Sequence, residues 1–313
     1  MRAGLFKLRA RGLNPTVVAA YFALVALFVG VFAQFYIPGK GFTFLIAFGS
    51  TQQQSAIPDL KGLDYYVEPD AGGYDAQYYV QIAMHPTLRD PHLGHAVDNL
   101  AYRGRRILLC WLAYAMGLGQ PRAILDAFVL QNAICWLVLA GVLLWWFPPS
   151  GWGNLVRWAG VLFSFGMCVS VRNSLVDGPS LLLIALGVML TERGRVGWAT
   201  FVLAAGGLAK ETNLLGAAAL LRSDEVRAPR RWPVLLGRGL LVVLPLALWL
   251  VYIERTVGPA ANFGVRNFEW PLLAYGRKWV EVWAGMKDPF NWRAGVLNCG
   301  PFLSLLMLVA LSV

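Results

Sequence analysis

Apolar and polar stretches alternate along this chain on the scale of a membrane span. Val17–Tyr36 is largely apolar, and a long polar region follows over residues 37–122. Further apolar runs cover Ala127–Phe147, Leu155–Val169, Ser180–Leu190, Val196–Leu208, Leu214–Leu221 and Leu235–Tyr252. A second polar region, residues 254–294, is dense in Trp, Phe and Tyr, and Gly295–Val313 opens a last apolar run. Several of these runs approach the roughly 20 residues that cross a bilayer. The pattern predicts an all-α polytopic membrane protein, a single transmembrane domain over 1–313. The chain stops inside an apolar run, which reads as a truncated C-terminus.

Inside the first polar region the spacing of Tyr78, Ile82 and Ala83 predicts a short helix over Tyr74–Met84, ended by His85-Pro86. Ile107–Leu118 is apolar but short for a span, so it either crosses or lies on the membrane surface. If it crosses, Asp177 falls inside and the arginines of TERGR outside. If it lies on the surface, Asp75, Asp177 and Lys210-Glu211 share the outer side. TERGR and RSDEVRAPRR then both face the cytoplasm, as the positive-inside bias prefers. The second scheme is adopted here. It makes 37–122 and 254–294 extracytoplasmic loops, the first carrying short surface helices.

Composition agrees. Of 313 residues, 58% are hydrophobic and only 14% charged, where a soluble domain carries about 25% charged residues. The +10 net charge sits largely at helix ends, which points to membrane orientation and not to nucleic acid. The basic start MRAGLFKLRARGLNP precedes a run longer than a signal peptide's apolar core, so it reads as an uncleaved first span in the plasma (inner) membrane, with a cytoplasmic N-terminus. Cys110, Cys135, Cys168 and Cys299 lie in or beside apolar segments without a CxxC pair, as small buried hydrophobes. There is no P-loop and no GxSxG.

The chemistry-bearing stretch is Glu68–Ala83, EPDAGGYDAQYYVQIA. It sets Glu68, Asp70 and Asp75 around a Gly-Gly turn, before the paired Tyr78 and Tyr79. Asp75 suits two roles: a helix N-cap, or a base that takes a proton from an attacking hydroxyl. Arg103, Arg105 and Arg106 lie on the outer side, where the charge bias expects few arginines. They read either as a phosphate clamp or as headgroup anchors. Arg172 near Asp177 carries the same two readings. Lys210-Glu211 sits between two apolar arms, where ionisable groups pair with each other or face a cavity. His92 and His95 with Asp90 and Asp98 form a loose grouping without zinc spacing. A solvated loop accounts for it, and a divalent cation held by the loop acids stays open.

GGYDAQYYVQIA, followed by DNLAYRGRRIL, SLVDGPS and LAKET, resembles the GT-C fold membrane glycosyltransferases. The likeness is to the mannosyltransferase-like members and the bacterial proteins of cell-surface glycopolymer formation. It spans roughly Tyr74 to Leu221. It implies a GT-C-like helical bundle with an outer-face active site, a polyprenyl-phosphate sugar donor and an envelope glycan or lipid acceptor. An acid of the first loop would be the base, which maps to Asp75. A second acid maps to Asp177. Phosphate would be held by Arg103, Arg105, Arg106 and Lys210, with Arg172, Glu211, Tyr78 and Tyr79 lining the substrate. A flippase of lipid-linked intermediates or a non-catalytic envelope-assembly protein would explain the same residues without a base.

Overall fold

A computed structural model describes residues 12–221, 225, 227–259, 271–287, 299, 300 and 303. The expected last span, Gly295–Val313, falls mostly outside them. Of the second polar region, residues 254–259 and a helix over Pro271–Lys287 are described.

Helix α1 (Pro15–Ala33) starts where its sequence says it should. The Asn14 side chain accepts from the Thr16 and Val17 amides, and Pro15 supplies a preset first-turn φ. The polar region then folds into a compact layer of short pieces. These are a parallel strand pair, β1 (Phe48–Gly49) and β2 (Val67–Glu68), with α2 (Pro58–Lys61), α3 (Ala76–Met84), α4 (Leu93–Ala96), α5 (Leu100–Arg103) and α6 (Leu108–Met116). The bundle continues with α7 (Pro121–Leu143), α8 (Trp152–Leu162), α9 (Phe165–Arg172), α10 (Asp177–Glu192) and α11 (Val196–Ala209). A 3₁₀ segment over Glu211–Leu220 precedes α12 (Trp232–Thr256) and α13 (Pro271–Lys287). Three helical stretches, Pro15–Ala33, Pro121–Leu143 and Pro229–Thr256, are long and apolar enough to cross a membrane, and a fourth if the bent pair α8–α9 is one span.

Two expectations change. The run Leu155–Val169 is not one straight helix: α8 and α9 meet at 45°, because Ser164 is extended (φ −59°, ψ 150°). Leu214–Leu221 is the end of a 3₁₀ segment folded back on α11. Gly207 lets the two arms approach, since an added Cβ would lie 3.0 Å from Leu214 Cδ2, and the Asn213 amide donates to the Gly206 carbonyl and the Ser180 hydroxyl, both at 3.0 Å. Ile107–Leu118, left on the surface in the scheme adopted above, is shorter than a membrane span. Its helix, α6, has 9 residues, about 14 Å at 1.5 Å per residue, against a hydrocarbon core of about 30 Å.

Hydrogen bonds fix which helix ends lie together. At one end, the indoles of Trp145 and Trp146 both donate to Glu192, Tyr21 donates to the Phe147 carbonyl, and the Asn14 amide donates to Pro149. At the other end the helices meet the short-helix layer. Trp249 donates to the Gly104 carbonyl, Tyr252 to Thr87, and Arg122 to Asp64.

The layer's own order comes from α3. Gln77 and Gln81 are buried, yet each bridges distant backbone. Gln77 accepts from the Gly49 amide and donates to the Gly72 carbonyl; Gln81 accepts from the Ile57 amide and donates to the Gln77 and Ala96 carbonyls. The Gly72-Gly73 turn is thus structural. Gly49 lies so near it that an added Cβ would overlap the Gly73 nitrogen and the Ala71 oxygen, whereas Gly72 faces open space. Gly49→Ala should therefore destabilise the protein by about 1–3 kcal/mol through backbone overlap, and Gly72→Ala by less than about 0.5 kcal/mol. Thermal unfolding of the detergent-purified variants measures both.

Candidate functional site

The site grows out of one buried cation. Arg103 ends the single-turn helix α5, whose start is capped by Asn99 accepting from the Tyr102 amide at 2.8 Å. That turn aims the guanidinium inward, where the side chain is 8% exposed. A buried guanidinium needs partners on every edge. Asp98 takes two of them, from Nε at 3.0 Å and from Nη2 at 2.8 Å, and Asp75 takes Nη1 at 2.8 Å. The charge also lies over the rings of Tyr78, Tyr79 and Tyr102, at 5.1, 5.6 and 5.8 Å from their centroids. Burial alone would lower the Arg103 pKa. The hydrogen bonds to Asp98 and Asp75 outweigh it and hold the guanidinium charged above its ordinary value.

Arg106 carries the network to the bundle. Its Nε donates to Glu211 at 3.2 Å, while Nη1 and Nη2 donate to the hydroxyls of Tyr79 and Tyr102, both at 3.1 Å. Burial opposes its charge too, and Tyr79, Glu211 and Tyr102 more than compensate. Tyr79 is almost wholly buried, and that burial pushes its phenol pKa up. Beside Glu211, Lys210 forms an ion pair with Asp177 at the first turn of α10. Lys210 and Glu211 thus serve different partners on different elements.

The residues singled out in the sequence fall into three groups. Asp75, Tyr78, Tyr79, Arg103, Arg106 and Glu211 form one connected network, and Lys210–Asp177 is an ion pair at the same end of the bundle. Arg105 joins only at its edge, 5.9 Å from the Tyr102 ring centroid. Arg172 is elsewhere: its guanidinium lies over Phe44 and Phe35, at 4.2 and 5.6 Å from the ring centroids, and no ion pair joins it to Asp177 among the described residues.

The N-cap reading of Asp75 does not hold. Its backbone is already helical (φ −52°, ψ −37°) and its side chain makes no capping bond, since a cap needs extended geometry. The carboxylate turns to Arg103 and stays 43% exposed. The grouping of His92, His95, Asp90 and Asp98 does not assemble either. Asp98 belongs to Arg103, Asp90 accepts from the His92 amide, and His85 lies 2.9 Å from Asp59. Among the described residues no three His, Cys, Asp or Glu side chains come together as a metal site. Two surface depressions of about 380 and 320 Å³ lie beside Tyr65 and beside Leu88, and neither is lined by Asp75.

Sequence reasoning missed Asp98 and Tyr102 as parts of the site. The signal was present in DNLAYR: an Asx-capped single turn brings positions 98 and 103 together, as five-residue spacing without a cap would not. Comparison with protein-family models, curated proteins and solved structures gives no match.

Arg103→Ala should cost about 2–3 kcal/mol of stability. That is below the value for a fully enclosed pair, because both carboxylates reach water. Arg103→Lys should recover only part of it, since an ammonium cannot match the Asp98 fork and reach Asp75 together. Unfolding midpoints of the two variants in detergent give the comparison.

Proposed function

We propose that the chain is a polytopic membrane glycosyltransferase of the GT-C type. It moves a sugar from a polyprenyl-phosphate-linked donor to an envelope glycan or lipid acceptor at the end of the bundle that carries the short-helix layer. One observation carries the reading. A half-exposed carboxylate, Asp75, is held by a buried arginine at the same bundle end as the Arg106–Glu211 and Lys210–Asp177 pairs. Residues from four separate stretches are involved, and they are the stretches on which the resemblance rests.

In this mechanism Asp75 accepts the proton of the acceptor hydroxyl as its oxygen attacks the anomeric carbon. The bond from that carbon to the phosphate oxygen breaks, and its electron pair leaves with the lipid phosphate. The configuration at the sugar inverts. Arg103 fixes the direction of the carboxylate by holding Oδ2, and Tyr78, beside it, offers an aromatic face to a sugar. Lys210 and Arg106 contribute positive potential toward the leaving phosphate even while paired. The basic residues Arg193, Arg195, Arg230 and Arg231 lie near helix ends remote from the layer. By the positive-inside bias that end is cytoplasmic, which makes the layer extracytoplasmic in the plasma membrane and the N-terminus cytoplasmic.

A second reading, transport of the lipid-linked intermediate, is favoured by the 45° break between α8 and α9, since broken helices line transporter sites. Asp75→Asn separates the two. Asparagine keeps an oxygen for Arg103 but cannot take a proton. Transfer of labelled sugar in membranes should fall by about 100-fold or more, with the protein still folded. Transfer at the wild-type rate would remove Asp75 as the base, and wild-type movement of lipid-linked substrate without any transfer would favour transport.

A further inference from the structure

Of the cations singled out for phosphate, Arg103, Arg106 and Lys210 are already neutralised by carboxylates. Arg172 is not. Among the described residues its buried Nη1 has no hydrogen-bond partner, and its guanidinium is backed by the rings of Phe44 and Phe35. A ring face attracts the charge but accepts no N–H bond of ordinary strength. Asp177, the nearest acid in sequence, is taken by Lys210. An unpaired ionisable group within a membrane bundle is costly and marks a site.

Its surroundings point to the ligand. Arg172 ends α9 at the turn into α10. In that turn Ser174 adopts a left-handed φ of 47°, and its Oγ is buried without a partner. On the other side of the turn, Ser170 Oγ accepts from the Gly178 amide at 2.8 Å, in the first turn of α10, and lies 3.4 Å from the Asn132 amide oxygen. Asn132 is 2% exposed, and its Nδ2 has no partner. So a buried carboxamide whose Nδ2 has no partner is linked through Ser170 to the N-terminus of a 16-residue helix, beside a turn that holds a buried hydroxyl and an unneutralised guanidinium. Gln131, the residue before Asn132, also leaves both amide atoms unpartnered. A helix N-terminus carries positive potential and favours anions, and a guanidinium matches tetrahedral oxyanions by its fork.

We infer that Arg172, Ser174 and Asn132, at the N-terminus of α10, form a binding site for a phosphate group, distinct from the Asp75–Arg103 network. Ser174 and Asn132 contribute neutral hydrogen bonds, Arg172 contributes the charge, and α9 ends at the site. The inference deepens the transferase reading by giving the phosphate of the lipid-linked substrate a holding place apart from the residues that face it as it leaves, and it rests on that reading for the lipid half of the ligand.

The test is thermal stability of the full chain in detergent, titrated with inorganic phosphate or with farnesyl phosphate, against chloride at equal ionic strength. Wild type should rise by about 5 °C at a hundredfold excess over Kd. A rise with both compounds assigns free phosphate as sufficient; a rise with farnesyl phosphate alone assigns a lipid phosphate. Arg172→Met keeps the apolar stem against Phe44 and should weaken binding about 30-fold or more, and Ser174→Ala about fivefold. Without ligand, Arg172→Met should unfold no lower than wild type, because it removes a half-buried charge whose Nη1 has no partner among the described residues; a structural arginine would lower the midpoint. Should Arg172→Met fail to fold, Ser174→Ala carries the test, and binding unchanged in that variant would overturn the site. No rise in wild type, or equal rises in wild type and Arg172→Met, would also overturn the site. Asp75→Asn should bind as wild type does. Binding without any sugar transfer would leave the site standing and sink the transferase reading, and transfer without binding would do the reverse.

Discussion

A guanidinium with 8% of its side chain exposed sets the terms for the polar layer of this protein. Burying that charge costs several kcal/mol unless every donor edge is met. Arg103 meets the condition with groups from two stretches, Asp98 and Asp75, under a roof of three tyrosines. Satisfying Arg103 therefore fixes the start of α3 relative to α5. It also decides what Asp75 is: not the cap of its own helix but a carboxylate held at the surface of the layer by a buried cation.

The layer and the bundle are joined by similar means. Arg106 reaches Glu211 at the tip of the α11–3₁₀ hairpin, while Trp249 and Tyr252 of α12 donate to backbone carbonyls of the layer. Inside the layer, Gln77 and Gln81 replace sheet hydrogen bonds that segments this short cannot make for themselves. Polar side chains thus do structural work that apolar packing does in the bundle. They are also the residues nearest the proposed chemistry. The Arg172 turn is the exception, where buried polar groups are left without partners in the protein.

Much of this architecture was legible in the sequence. Apolar run length located the long helices. Charge distribution chose the scheme in which Ile107–Leu118 stays on one side, and the nine residues of α6 agree with it. What could not be read was pairing. The sequence offers Lys210 next to Glu211 and Arg172 near Asp177, and adjacency suggests those pairs. Backbone direction decides otherwise: Lys210 closes α11 with an extended backbone (φ −160°, ψ 131°), and the two neighbours serve Asp177 and Arg106. Asp98 was hidden for a similar reason. Its histidine neighbours suggest a metal loop, whereas the capped turn at Asn99 directs it to Arg103. The 3₁₀ segment Glu211–Leu220 packs closely on α11 at Gly207, a tertiary constraint with no local signature.

The central claim is that the loop layer and the helical hairpin meet at one end of the bundle, so that Asp75, Arg106, Glu211 and Lys210 act in one place. Charge exchange at the joint tests it most directly. Arg106→Glu and Glu211→Arg should each lower the unfolding midpoint of the purified protein, and the exchanged double variant should recover most of the loss. Losses that simply add in the double variant would mean that the two residues do not meet, and the proposed site would come apart with them.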